Sequence, residues 1–293
     1  MSRTVYSRSL LFILAAALSL PLEAKLLKPS MNGEEKEILI VNSKRRLYYP
    51  IGGEGLQYIV EGPTRLEFIS RYPVIKKKKQ SHPYHFTIVL DGEDTVMVNH
   101  RYKVQKSIRS VQHPKHRYTY SGNYFINLGK GTHNIELLQG DGLKYPVLVR
   151  VLAKEFESLG EHKKILMPMV YQRSVKLVYN KKEVDYYEFT HELPLQLEAD
   201  GKKTLRIMNR LEFSNAMGQE EAYRLRVREG EKIVGTYYFN SKRSSESRIL
   251  GKADRVPGKW RSCDITVPQG KHTYSVEVAD KGKTILTLSL IHI

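Results

Sequence analysis

Along most of the chain apolar and polar residues alternate one by one, the period of a strand that buries a single face. Leu66 and Phe68 fall on one face after the turn at Gly62, and Leu205 and Ile207 do the same after Gly201. Phe86-Thr-Ile-Val-Leu90 precedes Asp91-Gly92, a strong hairpin signal, and Leu225 and Val227 precede Glu229-Gly230. Leu128-Gly-Lys-Gly131 and Val267-Pro-Gln-Gly270 each close one strand and open the next. Further strands are expected at Glu37 to Val41, Gln57 to Glu61, Val96 to Val98, Tyr124 to Leu128 and Tyr145 to Val151. Later in the chain they are expected at Met167 to Val178, Val184 to Phe189, Leu193 to Leu197, Lys232 to Phe239 and Thr284 to Leu290. No helical segments alternate with these strands. The pattern therefore predicts an all-β protein of immunoglobulin-like or jelly-roll sandwich type, with antiparallel sheets, and not a parallel α/β sheet.

The chain also matches itself. Gly62-Pro-Thr-Arg-Leu66-Glu-Phe68-Ile-Ser-Arg71 answers Gly201-Lys-Lys-Thr-Leu205-Arg-Ile207-Met-Asn-Arg210, 139 positions further on. Gly131-Thr-His133-Asn-Ile-Glu-Leu137 answers Gly270-Lys-His272-Thr-Tyr-Ser-Val276 at the same offset, and Asp91-Gly92 answers Glu229-Gly230 at 138. Three matches in one order at a near-constant offset point to an internal duplication. Two tandem antiparallel β-sandwich domains are expected, at residues 31–153 and 165–293, with 154–164 as a linker that makes one or two helical turns ending near Gly160.

The amino-terminal segment adds a compartment. Arg3 and Arg8 give a basic start, Leu10 to Leu20 is apolar, and Pro21 precedes the small residue Ala24. This is the pattern of a signal peptide over residues 1–24, too short in its apolar part to span a bilayer, and it predicts export to the periplasm, the cell surface or the extracellular space. The sole cysteine, Cys263, excludes an intrachain disulfide, and its place in an alternating run makes it a buried core residue. The formal net charge of +17 favours anionic surroundings.

The basic residues supply the candidate binding groups. Lys76, Lys77, Lys78 and Lys79 form one run, and Arg101 and Lys103 lead towards Lys115, Arg117 and Tyr118. Lysine offers point charge, arginine a fork for phosphate or carboxylate, and tyrosine a flat face for sugars. A charge run is otherwise a solvated loop. Trp260, the one tryptophan, is expected to pack in the core at a strand start; its alternative role is an exposed aromatic contact for a sugar. His82 and His85, and His113 and His116, are pairs at i, i+3 that could hold a metal if folding joined them, but both pairs include proline and read as turns. No metal or cofactor is expected. His133 and His272 recur at matched positions and are expected to fasten their turns by bonding a backbone carbonyl.

No nucleophile elbow, zinc-protease motif or phosphate-binding glycine loop is present. The expectation is a noncatalytic exported scaffold or binding protein of the cell envelope, contacting a protein partner or an anionic polysaccharide through basic loops. Association with an outer or membrane surface, and homo-oligomer formation through sheet edges, are compatible with it, whereas nucleic acid is disfavoured. The alternative is a carbohydrate-active enzyme in which two of Glu67, Asp91, Asp94, Glu198 and Asp200 act as a pair.

Overall fold

The computed structural model describes residues 24–75, 81–154, 163–179 and 182–292. The expected signal peptide, the run Lys76 to Lys79 and the middle of the expected linker lie outside them. Among the described residues every element is a strand, and no helix is long and apolar enough to cross a membrane.

The first half begins with β1 (Lys25–Leu26), β2 (Glu37–Val41), β3 (Lys44–Pro50) and the long β4 (Leu56–Arg71). It continues with β5 (Pro73–Val74), β6 (His82–Leu90), β7 (Asp94–Tyr102) and β8 (Val104–Gln105). Then follow β9 (Arg109–Ser110), β10 (Arg117–Thr119), the long β11 (Gly122–Gln139) and β12 (Leu148–Lys154). The second half repeats this order with β13 (Lys163–Leu166), β14 (Arg173–Tyr179), β15 (Lys182–Phe189) and β16 (Leu195–Asp200). After β17 (Lys203–Ser214) come β18 (Glu220–Glu229), β19 (Lys232–Lys242) and β20 (Ser247–Ile249), and the last four are β21 (Arg255–Pro257), β22 (Arg261–Val267), β23 (Lys271–Val278) and β24 (Ile285–His292).

Two expected strands are shorter than the apolar pattern suggested. Tyr145 to Val147 and Met167 to Gln172 lie outside the named strands, apart from a bridge from Val170 to Gln196. Each stretch holds a proline, Pro146 or Pro168, whose missing N–H breaks a ladder. The ends of the expected linker, by contrast, are extended: Lys154 closes β12, and β13 pairs with β24 as β1 pairs with β12.

Strand pairing repeats along with strand order. In the first half neighbours run β9-β2-β3-β12-β4-β11, and in the second β20-β14-β15-β24-β17-β22. A further set joins the first part of β4 to the last part of β11, then β6 and β7; its counterpart is β16-β23-β18-β19. The long strands serve both sets by changing neighbours at glycines. β4 and β11 approach so closely there that a Cβ on Gly62 would lie 1.8 Å from the Gly129 carbonyl oxygen. In the second half the same crossing, marked by a bond from Gly201 N–H to Gly270 C=O, separates β16 from β17 and β22 from β23.

Alternation along these strands builds two main cores. Leu66, Phe68, Phe86, Ile88 and Leu137 fill the first, and Leu205, Ile207, Leu225, Val227 and Val276 the second. The second also contains Phe125, although this residue stands on β11, because Tyr124 and Ile126 point into the first core and the residue between them points the other way.

That outward face carries sheet bonding from one expected domain to the other. β11 pairs in parallel with β19, so hydrogen bonding runs through a 13-stranded sheet that crosses from one half to the other. The pairing satisfies two sheet edges that would otherwise be exposed. Phe125 stacks on Tyr237 with ring centroids 4.4 Å apart, and Gly235 leaves room for it: a Cβ there would lie 2.5 Å from the ring. Arg206 grips Asp264 through two bonds of 2.7 and 2.9 Å, while Arg65 reaches Asp264 from the first half at 3.3 Å.

Candidate functional site

β11 of the first half lies parallel to β19 of the second, with Tyr124 to Ile126 alongside Thr236 to Tyr238. The β6–β7 turn of the first half consequently faces the loops around β20 and β22 of the second. Between them lies an open cleft of about 910 Å³.

The first-half wall is a rigid hairpin. Asp91 and Gly92 both have positive φ, 53° and 73°, as a tight two-residue turn requires. Asp91 accepts from the Asn134 N–H and from His133 Nδ1, each at 2.8 Å, and His133 Nε2 lies 3.2 Å from the Gly129 carbonyl oxygen. Burial pushes the Asp91 carboxyl up, but these hydrogen bonds outweigh it and hold the group below its ordinary range. The second half repeats the device, with His272 joined to Glu229 and to the Gln269 carbonyl. The turn-fastening role expected of both histidines is present, with the carboxylate as an added partner.

The second-half wall presents Trp260, 54% exposed and lining the cleft. The expectation that it packs in the core is corrected. Its segment is tied to the end of β19: the Lys259 N–H donates to Lys242, Ser241 Oγ to the Lys259 carbonyl, and Arg261 to the carbonyls of Asn240 and Trp260. Gly258 fits against Ser241 and Phe213, where a Cβ would meet atoms at 2.7 and 3.0 Å. With the backbone pinned inward at these points, the indole is left on the outside. Tyr179, also exposed, lines the same cleft.

Polar groups complete the lining. Asp94 and Glu220 approach Tyr238, and burial first, then these carboxylates, push its hydroxyl up to about 12, so at neutral pH it is an uncharged donor. The Asn240 amide oxygen is buried with no hydrogen-bond partner among the described residues. Arg210 donates to the Gly258 carbonyl at 2.8 Å and also lines the cleft. Carboxylates, arginines, an amide and aromatic faces thus share one open concavity, the mixture that hydroxyl-rich ligands engage.

Of the five carboxylates considered as an enzymatic pair, Asp91 and Asp94 line the cleft, and both stand on its first-half wall. Glu67 is buried against Lys154, and Glu198 pairs with Lys271 at 2.8 Å on the β16–β23 ladder.

The basic residues lie elsewhere. β6 spans nine residues, so its far end stands roughly 26 Å from the cleft turn at about 3.3 Å per residue. There β5, β10 and β8 form a small sheet, with Arg117 opposite Val74 and the Tyr120 N–H donating to Lys103. Arg101, Lys103 and Lys115 are exposed. Arg117 is half-buried and folds back onto the carbonyls of Pro114 and His116. Tyr118 is fully buried and donates its hydroxyl to Glu37, so it offers no face to a partner and instead fastens β10 to β2. The two histidine pairs do not meet in one cluster among the described residues; His113 and His116 gather Glu37 instead.

Sequence reasoning missed the cleft itself and the groups on its walls, such as Tyr179, Tyr238 and Asn240. Cys263 is buried as expected, and burial pushes its thiol up to about 12.

No protein-family model and no curated protein matches the chain. Among solved structures, it is similar to the N-terminal CBM22-1-CBM22-2 tandem domain from Paenibacillus barcinonensis Xyn10C, with 11% identity over 92% of this chain and 96% of that one and a TM-score of 0.24. It is also similar to PNGF-II, with 8% identity over 92% of this chain and 64% of that one and a TM-score of 0.24. Likenesses this weak carry no argument about fold or function.

Proposed function

We propose that the protein is an exported, noncatalytic glycan-binding protein whose halves are two copies of one antiparallel β-sandwich, with the glycan held in the cleft between them. The observation that carries this reading is Trp260: the sole tryptophan is exposed on a pinned segment and lines a cleft of about 910 Å³ together with Tyr179. An exposed indole matches the apolar face of a pyranose, while carboxylates, arginines and the unpartnered Asn240 oxygen suit its hydroxyls.

The charge of the cleft refines the class of glycan. Asp91, Glu93, Asp94, Glu220 and Glu246 roughly balance Arg206, Arg210, Lys259 and Arg261 together with His133 along its walls. A neutral polysaccharide fits this lining better than a polyanion. An anionic envelope partner, protein or polysaccharide, would instead meet the far end of the first half, where Arg101, Lys103 and Lys115 are exposed and β5 leads into Lys76 to Lys79.

The single tryptophan also provides the assay. Neutral and acidic polysaccharides are titrated into the full chain while its fluorescence is followed. A neutral glycan should shift the emission, and Trp260→Ala should weaken binding, measured by calorimetry, at least tenfold; one stacked aromatic contact is worth about 1.4 kcal/mol at this factor. No response to any neutral glycan, or undiminished binding by the variant, would sink the cleft reading. Release of new reducing ends from a bound glycan would replace it with the carbohydrate-active alternative.

A further inference from the structure

Glu37, His113 and His116 stand at the basic end of the first half, away from the cleft. Their ligand atoms all lie within 4.8 Å of one another, with His113 Nδ1 already 3.3 Å from Glu37 Oε1. A tetrahedral ion about 2.0 Å from each donor needs donor separations of about 3.3 Å. The two rings stack at 4.7 Å with their planes 10° apart. Rotation of the more exposed ring, His113, is therefore the adjustment that brings both nitrogens to a common ion.

The rest of the cluster is held in place before any ion arrives. Gln112 clamps both neighbours of Glu37, accepting from the Ile38 N–H at 2.9 Å and donating to the Lys36 carbonyl at 3.3 Å. The Val111 N–H donates to the Ile38 carbonyl, Ser110 Oγ accepts from the His113 N–H, and the His116 N–H closes the turn onto the His113 carbonyl. Glu37 is only 7% exposed and accepts the buried Tyr118 hydroxyl, an outer partner of the kind that orients a ligating carboxylate. His113, with its side chain 53% exposed, leaves solvent on one side of the cluster.

The corresponding turn of the second half is built differently. Lys252 stands there, and its ammonium donates to Glu188 and Glu212 at 2.8 Å each. That place is closed by its own charges. In the first half the duplicated frame carries two imidazoles and a carboxylate on segments more than seventy positions apart, in Glu37 and His113.

We infer that Glu37, His113 and His116 form a binding site for one divalent first-row transition ion of the zinc type, with solvent completing its coordination. Two imidazoles and one carboxylate suit zinc, cobalt, nickel and copper and are poor ligands for magnesium or calcium. Three protein ligands and an open position distinguish such a site from a closed structural one.

The test uses the full chain without a polyhistidine tag, stripped by chelator and titrated with zinc by calorimetry and with cobalt by visible absorption. One ion per chain is expected, with the intense cobalt bands of tetrahedral coordination. His113→Ala and His116→Ala should each lower zinc affinity roughly a hundredfold, and Tyr118→Phe about ten- to a hundredfold through the orientation of Glu37. A His82→Ala, His85→Ala double variant should bind as the parent does. Circular dichroism establishes that each variant is folded, and His113→Ala, a change at a largely exposed ring, keeps the test decisive if His116→Ala is not. No stoichiometric uptake, affinity unchanged in His113→Ala, or loss confined to the His82, His85 variant would each overturn the site.

Discussion

Truncating Phe125 to alanine tests whether the two halves depend on each other. The ring is 8% exposed, stacks on Tyr237 at 4.4 Å, and faces Gly235, where no side chain fits. Removing a buried phenylalanine from a core that cannot collapse costs about 3–5 kcal/mol. Here the void opens along a seam between halves, joined beside it by three parallel residue pairs from Tyr124 to Ile126. Some relaxation and water penetration follow, which place the expected loss near the lower bound, about 3 kcal/mol. Equilibrium urea unfolding is read by Trp260 fluorescence, which reports the second half, and by far-ultraviolet circular dichroism, which reports both. The two signals should coincide for the parent protein. In Phe125→Ala the midpoint should fall and the signals separate, because the halves no longer unfold together. A loss under about 1 kcal/mol with coincident curves would refute the seam as the coupling element.

Two further outcomes follow from buried or tethered groups. His272 donates to both Glu229 and the Gln269 carbonyl, which raises its pKa above the ordinary 6.5, the Glu229 bond acting most strongly. A raised folded-state pKa gives stability that is complete below the unfolded value and lost as pH rises through the folded one, so His272→Gln should lower the melting temperature more at about pH 5.5 than at about pH 9. An equal loss at both would remove the charged tether. Cys263 is fully buried with its thiol pushed up to about 12, so native protein at about pH 8 should resist thiol reagents until denaturant is added. Rapid stoichiometric labelling of the folded chain would contradict its core placement.

Much of the frame was legible before any coordinates. Period-two alternation marked the strands, Asp91-Gly92 marked the tight hairpin, and the turns expected at Gly201 and Gly270 are present, whereas β4 and β11 run on unbroken through Gly62 and Gly131. These are local consequences of backbone geometry and one-sided burial, and both halves carry them at matched positions. Asp91 and Glu229 also belong to matched segments, but only the structure joined them to His133 and His272. One tertiary signal stood in the open: Tyr124-Phe125-Ile126 is apolar at successive positions, the pattern of a strand covered on both faces.

What covers the second face could not be read from that run. Only the tertiary structure decided that β11 meets β19 in parallel, because the choice of partner edge rests on the shape and charge of both halves together. That pairing then brings the Asp91 turn to Trp260, residues far apart in sequence, and leaves the basic loops at the other end. The same holds for Tyr118, whose neighbours Arg117 and Lys115 suggested a binding loop but whose ring the fold buries against Glu37. Sequence by itself determined most of the strands and the tight turns; which surfaces face one another, and so where chemistry can gather, was settled by packing between segments that share no local pattern.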